Sequence, residues 1–221
     1  VVLERHITVS RGPIGDLATG GSAVVMANSG DDSVSVLDPV TLSVRATIGL
    51  GGEPLAIAVA DDRAYVAVAA HSYDAVAAID LDTNTVIKTY PVASGVTALA
   101  AGPDGKRVYV GRSAQDRVDI AVIDVTAERV GTIEVGRAPT ANIDALRVDP
   151  NGKRLYLAVT DLSGSRLIVV DAETSFVGRV LPVGSPIRDI AYAGDAIYVL
   201  TSDRAVGGAV HVVDLATERR S

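Results

Sequence analysis

Five aspartates recur at near-constant spacing, Asp38, Asp80, Asp124, Asp171 and Asp214, separated by 42, 44, 47 and 43 residues. Carboxylates that converge act as general acid and base or bind hard cations. Regular spacing points elsewhere. Residues that occur once per structural unit occupy the same place in every unit, so these five lie on a circle too wide to meet at one substrate. Each is placed to cap the turn that follows it. The three histidines, His6, His71 and His211, have no fixed spacing, whereas a metal centre needs convergent donors. They read as surface or internally satisfied side chains. Cysteine is absent, which removes thiolate nucleophiles, disulfides and cysteine-bound metal and leaves the redox compartment open. No Gly-x-Ser-x-Gly, His-Glu-x-x-His, Gly-x-Gly-x-x-Gly or Asp-x-Asp-x-Asp-Gly motif occurs. The Asp/Gly turns at Asp104 and Asn151 suggest calcium only superficially, because Asp and Gly each satisfy a tight turn unaided. No cofactor and no metal is expected.

The elements that position these aspartates repeat with them. Residues 106–125 read KRVYVGRSAQDRVDIAVIDV and residues 153–172 read KRLYLAVTDLSGSRLIVVDA. Upstream of successive aspartates stand AVVMA at Ala23, AYVAV at Ala64, VYVGR at Val108, LYLAV at Leu155 and IYVLT at Ile197. The first copy carries Val24 where the others carry Tyr65, Tyr109, Tyr156 and Tyr198. Recurrence at one position marks these tyrosines as packing between neighbouring units rather than a sugar-stacking set. Within a unit, short apolar runs separated by Gly, Asp, Asn and Pro predict four antiparallel strands. In one unit these are Asn142 to Val148, Arg154 to Val159, Arg166 to Asp171 and Ser175 to Leu181. Four strands in about 42 to 47 residues is the size of a propeller blade.

The unit resembles the YVTN-type β-propeller repeat, through GPDGKRVYV at Gly102, VSVLD at Val34 and TIEVGRAP at Thr132. The resemblance covers nearly the whole chain and departs at Val24 and around Ala141. It implies an all-β propeller of four-stranded antiparallel blades, a single domain over residues 1–221. The expected closure is five blades, with Leu3 to Val9 as the outer strand of the blade containing Asp214, because ITVSRGP at Ile7 aligns on IEVGRAP at Ile133. The alternative is part of a larger, six- or seven-bladed propeller, since the two ends overlap in register. The family also implies an extracellular or cell-envelope location.

The chain has 221 residues, and 27 acidic against 20 basic side chains give it a net charge of −7, which repels polyanions; nucleic acid is not expected as a partner. No apolar run reaches the length of a membrane-spanning helix. The chain opens on Val1 without a charged-then-apolar leader, as a processed secreted protein or an excised piece would.

Function is then expected on loops, where blade packing dictates nothing. Alternation along a blade brings the loops between second and third strands to one face, and these vary among units. The candidate protein- or glycan-binding residues there are Asn28, Asp31, His71, Tyr73, Asp74, Arg112, Gln115, Asp116, Asp161, Asp203 and Arg204. Tyr73 stands out, because an aromatic in a polar loop offers rigid contact area at little ordering cost. Polar residues on the inner strands, Asp16, Thr97, Asp144, Arg147, Arg188 and Asp189, line the central channel, where mutual pairing is favoured over a small polar ligand. Three functions fit: a non-catalytic binding module, a propeller enzyme of lactonase-like or redox-subunit-like type, and a structural domain of a larger surface protein with further domains of the same chain as partners. The missing nucleophile and metal constellations weigh against the enzyme.

Overall fold

The computed structural model describes residues 7–9, 12–93, 95–114, 116–137, 139–193, 196–203 and 207–214. Among them the structure is all β, apart from a one-turn 3-10 segment at Ser29–Asp31. The chain divides into two compact units, Val1–Val96 and Thr97–Ser221.

The first unit holds two four-stranded antiparallel sheets. One is β1 (Ile14–Gly20), β2 (Ala23–Asn28), β3 (Ser33–Leu37) and β4 (Val44–Gly49); the other is β5 (Glu53–Ala60), β6 (Arg63–Ala69), β7 (Ala75–Asp80) and β8 (Thr85–Pro91). The second unit holds three sheets, the first opening one residue before the boundary. They are β9 (Val96–Ala101), β10 (Arg107–Ser113), β11 (Arg117–Asp124) and β12 (Arg129–Arg137); β13 (Asn142–Val148), β14 (Arg154–Asp161), β15 (Gly164–Asp171) and β16 (Val177–Pro182); and β17 (Ile187–Ala193), β18 (Ala196–Asp203) and β19 (Gly207–Asp214). The expected strands of the fourth sheet stand where the turn signals put them, with Thr160 and Asp161 added to β14, Gly164 and Ser165 added to β15, and the last strand running Val177–Pro182. In every sheet the strands pair in chain order.

Apolar patterning explains which strand sits where. Second and third strands such as β6 and β7 are buried on both faces and read as nearly unbroken apolar runs, while the fourth strand β8 is exposed along most of its length. A sheet buried on both faces needs a sheet on each side, which is how a blade differs from half a sandwich. Ala18, Val25, Ala27, Val34 and Val36 of the first sheet pack on Ile57, Ala64, Val66 and Ile79 of the second. Tyr156, Ala158, Leu167 and Val169 of the fourth likewise pack on Ile187, Ile190, Ile197 and Val199 of the fifth. Each fully buried Leu, Ile or Val contributes roughly 1.5–3 kcal/mol.

Register corrects the tyrosine position in two places. Tyr65, Tyr109 and Tyr156 are buried, and each lies opposite the residue two before its aspartate: Ala78, Val122 and Val169. In the first sheet the residue opposite Val36 is Val25, so Val25 fills the tyrosine position and Val24 does not. Tyr198 has the correct register, opposite Val212, yet it is 38% exposed and is not core. Its sheet buries the other face, and the face that carries Tyr198 is open.

Of the expected closing strand Leu3 to Val9, Leu3 to His6 lie outside the described residues, and Ile7 to Val9 belong to no strand. The sheet of Asp214 has three strands among the described residues.

Candidate functional site

Four of the repeated aspartates are turn caps, and the turn after Asp214 lies outside the described residues. Asp38 Oδ1 accepts from the backbone N–H groups of Val40 (2.9 Å) and Thr41 (2.8 Å), and its Oδ2 meets Arg45 Nη2 at 2.6 Å. Asp80 Oδ1 accepts from Asp82 N, Thr83 N and the Thr83 hydroxyl; Asp171 Oδ1 accepts from Glu173 N, Thr174 N and the Thr174 hydroxyl. Asp124 Oδ1 accepts from Ala127 N at 2.7 Å. Donors aimed at the ionised form favour it, so the Asp80 and Asp171 carboxyls sit below the usual carboxylate range, held there by the threonines. Asp38 sits well below it, chiefly through the Arg45 guanidinium.

Two kinds of connection define the two ends of each sheet. At one end, the turn entering the second strand is tied to the turn after the third, by Leu81 N to Asp62 O, Val125 N to Lys106 O and Ala172 N to Lys153 O. Asp149 there accepts from Lys153 N (2.6 Å) and Arg154 N (3.0 Å), and Asp104 accepts from Lys106 N (3.1 Å). These carboxylates do the turn chemistry their sequence implied. At the other end, the loop between second and third strands is tied to the connector leaving the sheet, by Leu50 N to Asp32 O, Val92 N to Asp74 O and Val183 N to Ser165 O. Within each of these sheets the loop between second and third strands thus lies at the end where the chain leaves the sheet.

On that face several candidates hold the fold instead of facing solvent. Asn28 is fully buried, and its Nδ2 donates to Ser33 Oγ (3.1 Å) and Ser35 Oγ (2.9 Å). Asp74 is buried, and its Oδ2 accepts from Gly95 N (2.8 Å) and Val96 N (3.1 Å). It clamps its own loop to the connector. Arg112 Nε meets Asp119 Oδ1 at 2.6 Å, and Arg112 Nη2 donates to Thr132 Oγ1, which binds three neighbouring strands together. Asp161 accepts from Ser163 N and the Ser163 hydroxyl and pairs with Arg166 Nη1 at 2.6 Å; Ser163 and Arg166 together draw its carboxyl down to about 2. Asp31, His71, Tyr73 and Asp116 are exposed. Tyr73 is 50% exposed, beside the anchored Asp74. Asp203 ends β18, while Gln115 and Arg204 lie outside the described residues.

Each of β1, β5, β13 and β17 shifts register after its first or second pair, a bulge that re-aims the side chains there. Of the inner-strand candidates, Asp16, Asp144, Arg188 and Asp189 lie at or beside this place. Asp16 accepts from Leu17 N and from Ile57 N of the next sheet (2.8 Å). Asp144 accepts from Asn142 Nδ2 and the Thr160 hydroxyl. Thr97 donates to Gly111 O at 3.4 Å. Arg147 Nη2 pairs with Asp189 Oδ1 at 2.6 Å, the mutual pairing expected from sequence, and Arg188 is exposed.

The sequence reading did not anticipate two depressions at the turn end of the second unit. One of about 500 Å³ is lined by Asp104, Lys106, Lys153, Asp124 and Glu173 among others; one of about 370 Å³ includes Arg107 and Arg129. They arise where turns of neighbouring sheets meet, which no single repeat reveals.

Sheets of this topology and packing define a β-propeller. Residues 45–151 match the model of the YNCE-like beta-propeller family. The chain is 34% identical to the seven-bladed beta-propeller protein Rv1057 of Mycobacterium tuberculosis, covering 96% of this chain and 63% of that one. It is 50% identical to a seven-bladed beta-propeller protein of Mycolicibacterium smegmatis, covering 82% of this chain and 50% of that one. The chain thus spans less than two thirds of the length of these relatives. Among solved structures it superposes on Kuenenia stuttgartiensis hydrazine synthase with a TM-score of 0.81 at 20% identity, covering 100% of this chain and 68% of that one. A functionally unknown protein from Desulfotomaculum acetoxidans gives 0.76 at 16% identity, covering 97% and 70%. At these identities the likeness concerns the fold alone.

Proposed function

We propose that this chain is a YVTN-type propeller acting as a non-catalytic binding module of an extracellular or envelope protein, which recognises a protein or glycan through the loops between second and third strands. The reading is carried by the loop between β6 and β7. His71 and Tyr73 are exposed there, directly before Asp74, whose carboxylate is buried and fixed by two backbone N–H groups. A rigid foot under an exposed aromatic lowers the ordering cost of binding. In the same unit the Ser29 hydroxyl donates to Pro54 O (3.1 Å) and fixes the loop that carries Asp31. Binding should be saturable on purified envelope polysaccharide or on isolated envelope proteins, and Tyr73→Ala should weaken it roughly tenfold or more, the size of an aromatic anchor's contribution. Equal binding by the two chains would remove the loop from the interface.

The depressions at the turn end favour a second reading, a ligand held by Lys106, Lys153 and Arg107. Acidic Asp104, Asp124 and Glu173 line the same wall as those bases, so its charge is mixed and favours no one sign of ligand. The loop face is the better candidate.

A further inference from the structure

We infer that the larger depression at the turn end of the second unit is a site for a small zwitterion, an amino acid or short peptide whose ammonium and carboxylate are both free. It is distinct from the loop end of the sheets and takes a different ligand. At about 500 Å³ it has the size of a small-molecule site, for which about 300–1,000 Å³ is usual. Lys106, Arg107 and Lys153 place positive groups in its wall, and Asp104, Asp124 and Glu173 place negative ones. A wall of both signs offers a simple anion repulsion as well as attraction. A ligand that carries both charges meets each sign with its opposite.

The turn connections set this arrangement. In the third sheet the Lys106 carbonyl accepts from Val125 N, next to Asp124; in the fourth the Lys153 carbonyl accepts from Ala172 N, next to Glu173. Each sheet therefore brings one lysine and one acid to the same end. Arg107 joins the two sheets, its Nη1 donating to Ala172 O at 3.0 Å, and a guanidinium anchored through one nitrogen keeps further donors in the planar fork that fits a carboxylate. The two entering turns abut, since a Cβ on Gly152 would lie 3.4 Å from Pro103, so the lysines stand on packed backbone. Among the described residues the Lys106 and Lys153 ammonium groups and the Glu173 carboxylate enter no ion pair, which leaves them to a ligand. The adjoining depression of about 370 Å³ shares Arg107, Asp124 and Glu173 and adds Val122, Val130 and Ile133. An apolar side chain on the ligand thus has a place beside its charges.

Isothermal titration calorimetry of the full-length protein with L-leucyl-L-leucine, its N-acetyl derivative, its C-terminal amide and free L-leucine tests the inference. The free dipeptide should bind saturably at millimolar or lower concentration, and blocking either of its ends should weaken binding at least roughly tenfold, the loss of one charge-assisted contact. L-leucine binding at least as tightly as the dipeptide would make a free amino acid the ligand; weaker binding would make it a peptide. Glu173→Gln should weaken the free dipeptide by a similar factor while leaving the N-acetyl derivative unchanged, and Tyr73→Ala should leave every probe unchanged. Full binding by the N-acetyl derivative would overturn the inference in favour of a plain anion site, and full binding by the amide in favour of a cation site. No saturable heat from either free probe, or loss of binding in Tyr73→Ala, would overturn it as well.

Discussion

Protonating Asp38, Asp80, Asp161 or Asp171 removes the acceptor around which a turn is wound. All four carboxyls are held below their ordinary range in the folded chain, Asp161 at about 2, and return to about 4 on unfolding. A depressed folded-state pKa means that the stabilisation is complete above about pH 4 and is lost as the pH falls through the folded values. The melting temperature should therefore drop between about pH 4 and pH 2, and a double variant Asp80→Asn, Asp171→Asn should melt lower at neutral pH with a flatter acid limb. An acid limb identical to that of the parent would show that the caps contribute nothing. The capping role of the aspartates was legible in their spacing. The detail that completes it, a threonine three residues on in Asp38–Thr41, Asp80–Thr83 and Asp171–Thr174, is also present in the sequence.

The loop residues were less legible, because a polar side chain in a variable loop looks the same whether it faces solvent or holds the blade. Asn28 is buried because it stands directly opposite Ser33 in the hairpin, a register that the loop length alone does not reveal. Arg112 stands among the loop-face binding candidates. Its guanidinium instead pairs with Asp119, which is 5% exposed, so Arg112→Ala strands a buried carboxylate and should cost about 2 kcal/mol or more in urea unfolding. Tyr73→Ala should stay within about half a kcal/mol of the parent.

At the scale of the element, the strands of the fourth sheet were readable to within about two residues, because Gly, Asp and Asn close each apolar run. The packing of each face was not readable, since it depends on the neighbouring sheet. The tyrosine phrase at Ile197 matches its fellows in sequence and differs from them only in what lies against it. A second consequence of packing concerns Tyr192, whose ring lies edge-on to Tyr156 with centroids 5.8 Å apart. Burial pushes its hydroxyl well above the ordinary tyrosine range, and the oxygen has no hydrogen-bond partner among the described residues. Tyr192→Phe should therefore be neutral or slightly stabilising by thermal melt, since it removes a buried unsatisfied group while keeping the edge contact. Asp74→Ala works in the opposite direction. It strips two backbone N–H groups of a charged acceptor in a buried corner and should cost about 2 kcal/mol, loosening the β6–β7 loop at the same time. Hydrogen exchange at Gly95 and Val96 reports this locally, and unchanged protection there would refute the clamp.

For the whole molecule, the repeat fixes the kind of fold and leaves the function to what varies. Asp38, Asp80, Asp124 and Asp171 are each engaged on their own turns, and no cluster of three or more His, Asp or Glu side chains suited to a metal ion occurs among the described residues. No helix among them is long and apolar enough to cross a membrane. Variation is concentrated in the loops, and the loop end carries an exposed aromatic, Tyr73, directly before the buried and anchored Asp74. The most direct test compares the two ends on one immobilised envelope ligand by equilibrium binding, using Tyr73→Ala at the loop end and the pair Asp104→Ala and Asn151→Ala at the turn end. Loss of affinity for Tyr73→Ala with parental affinity for both turn-end variants is the predicted result; parental affinity for Tyr73→Ala with loss for the turn-end variants would contradict the account and move the site to the depression beside Lys106 and Lys153.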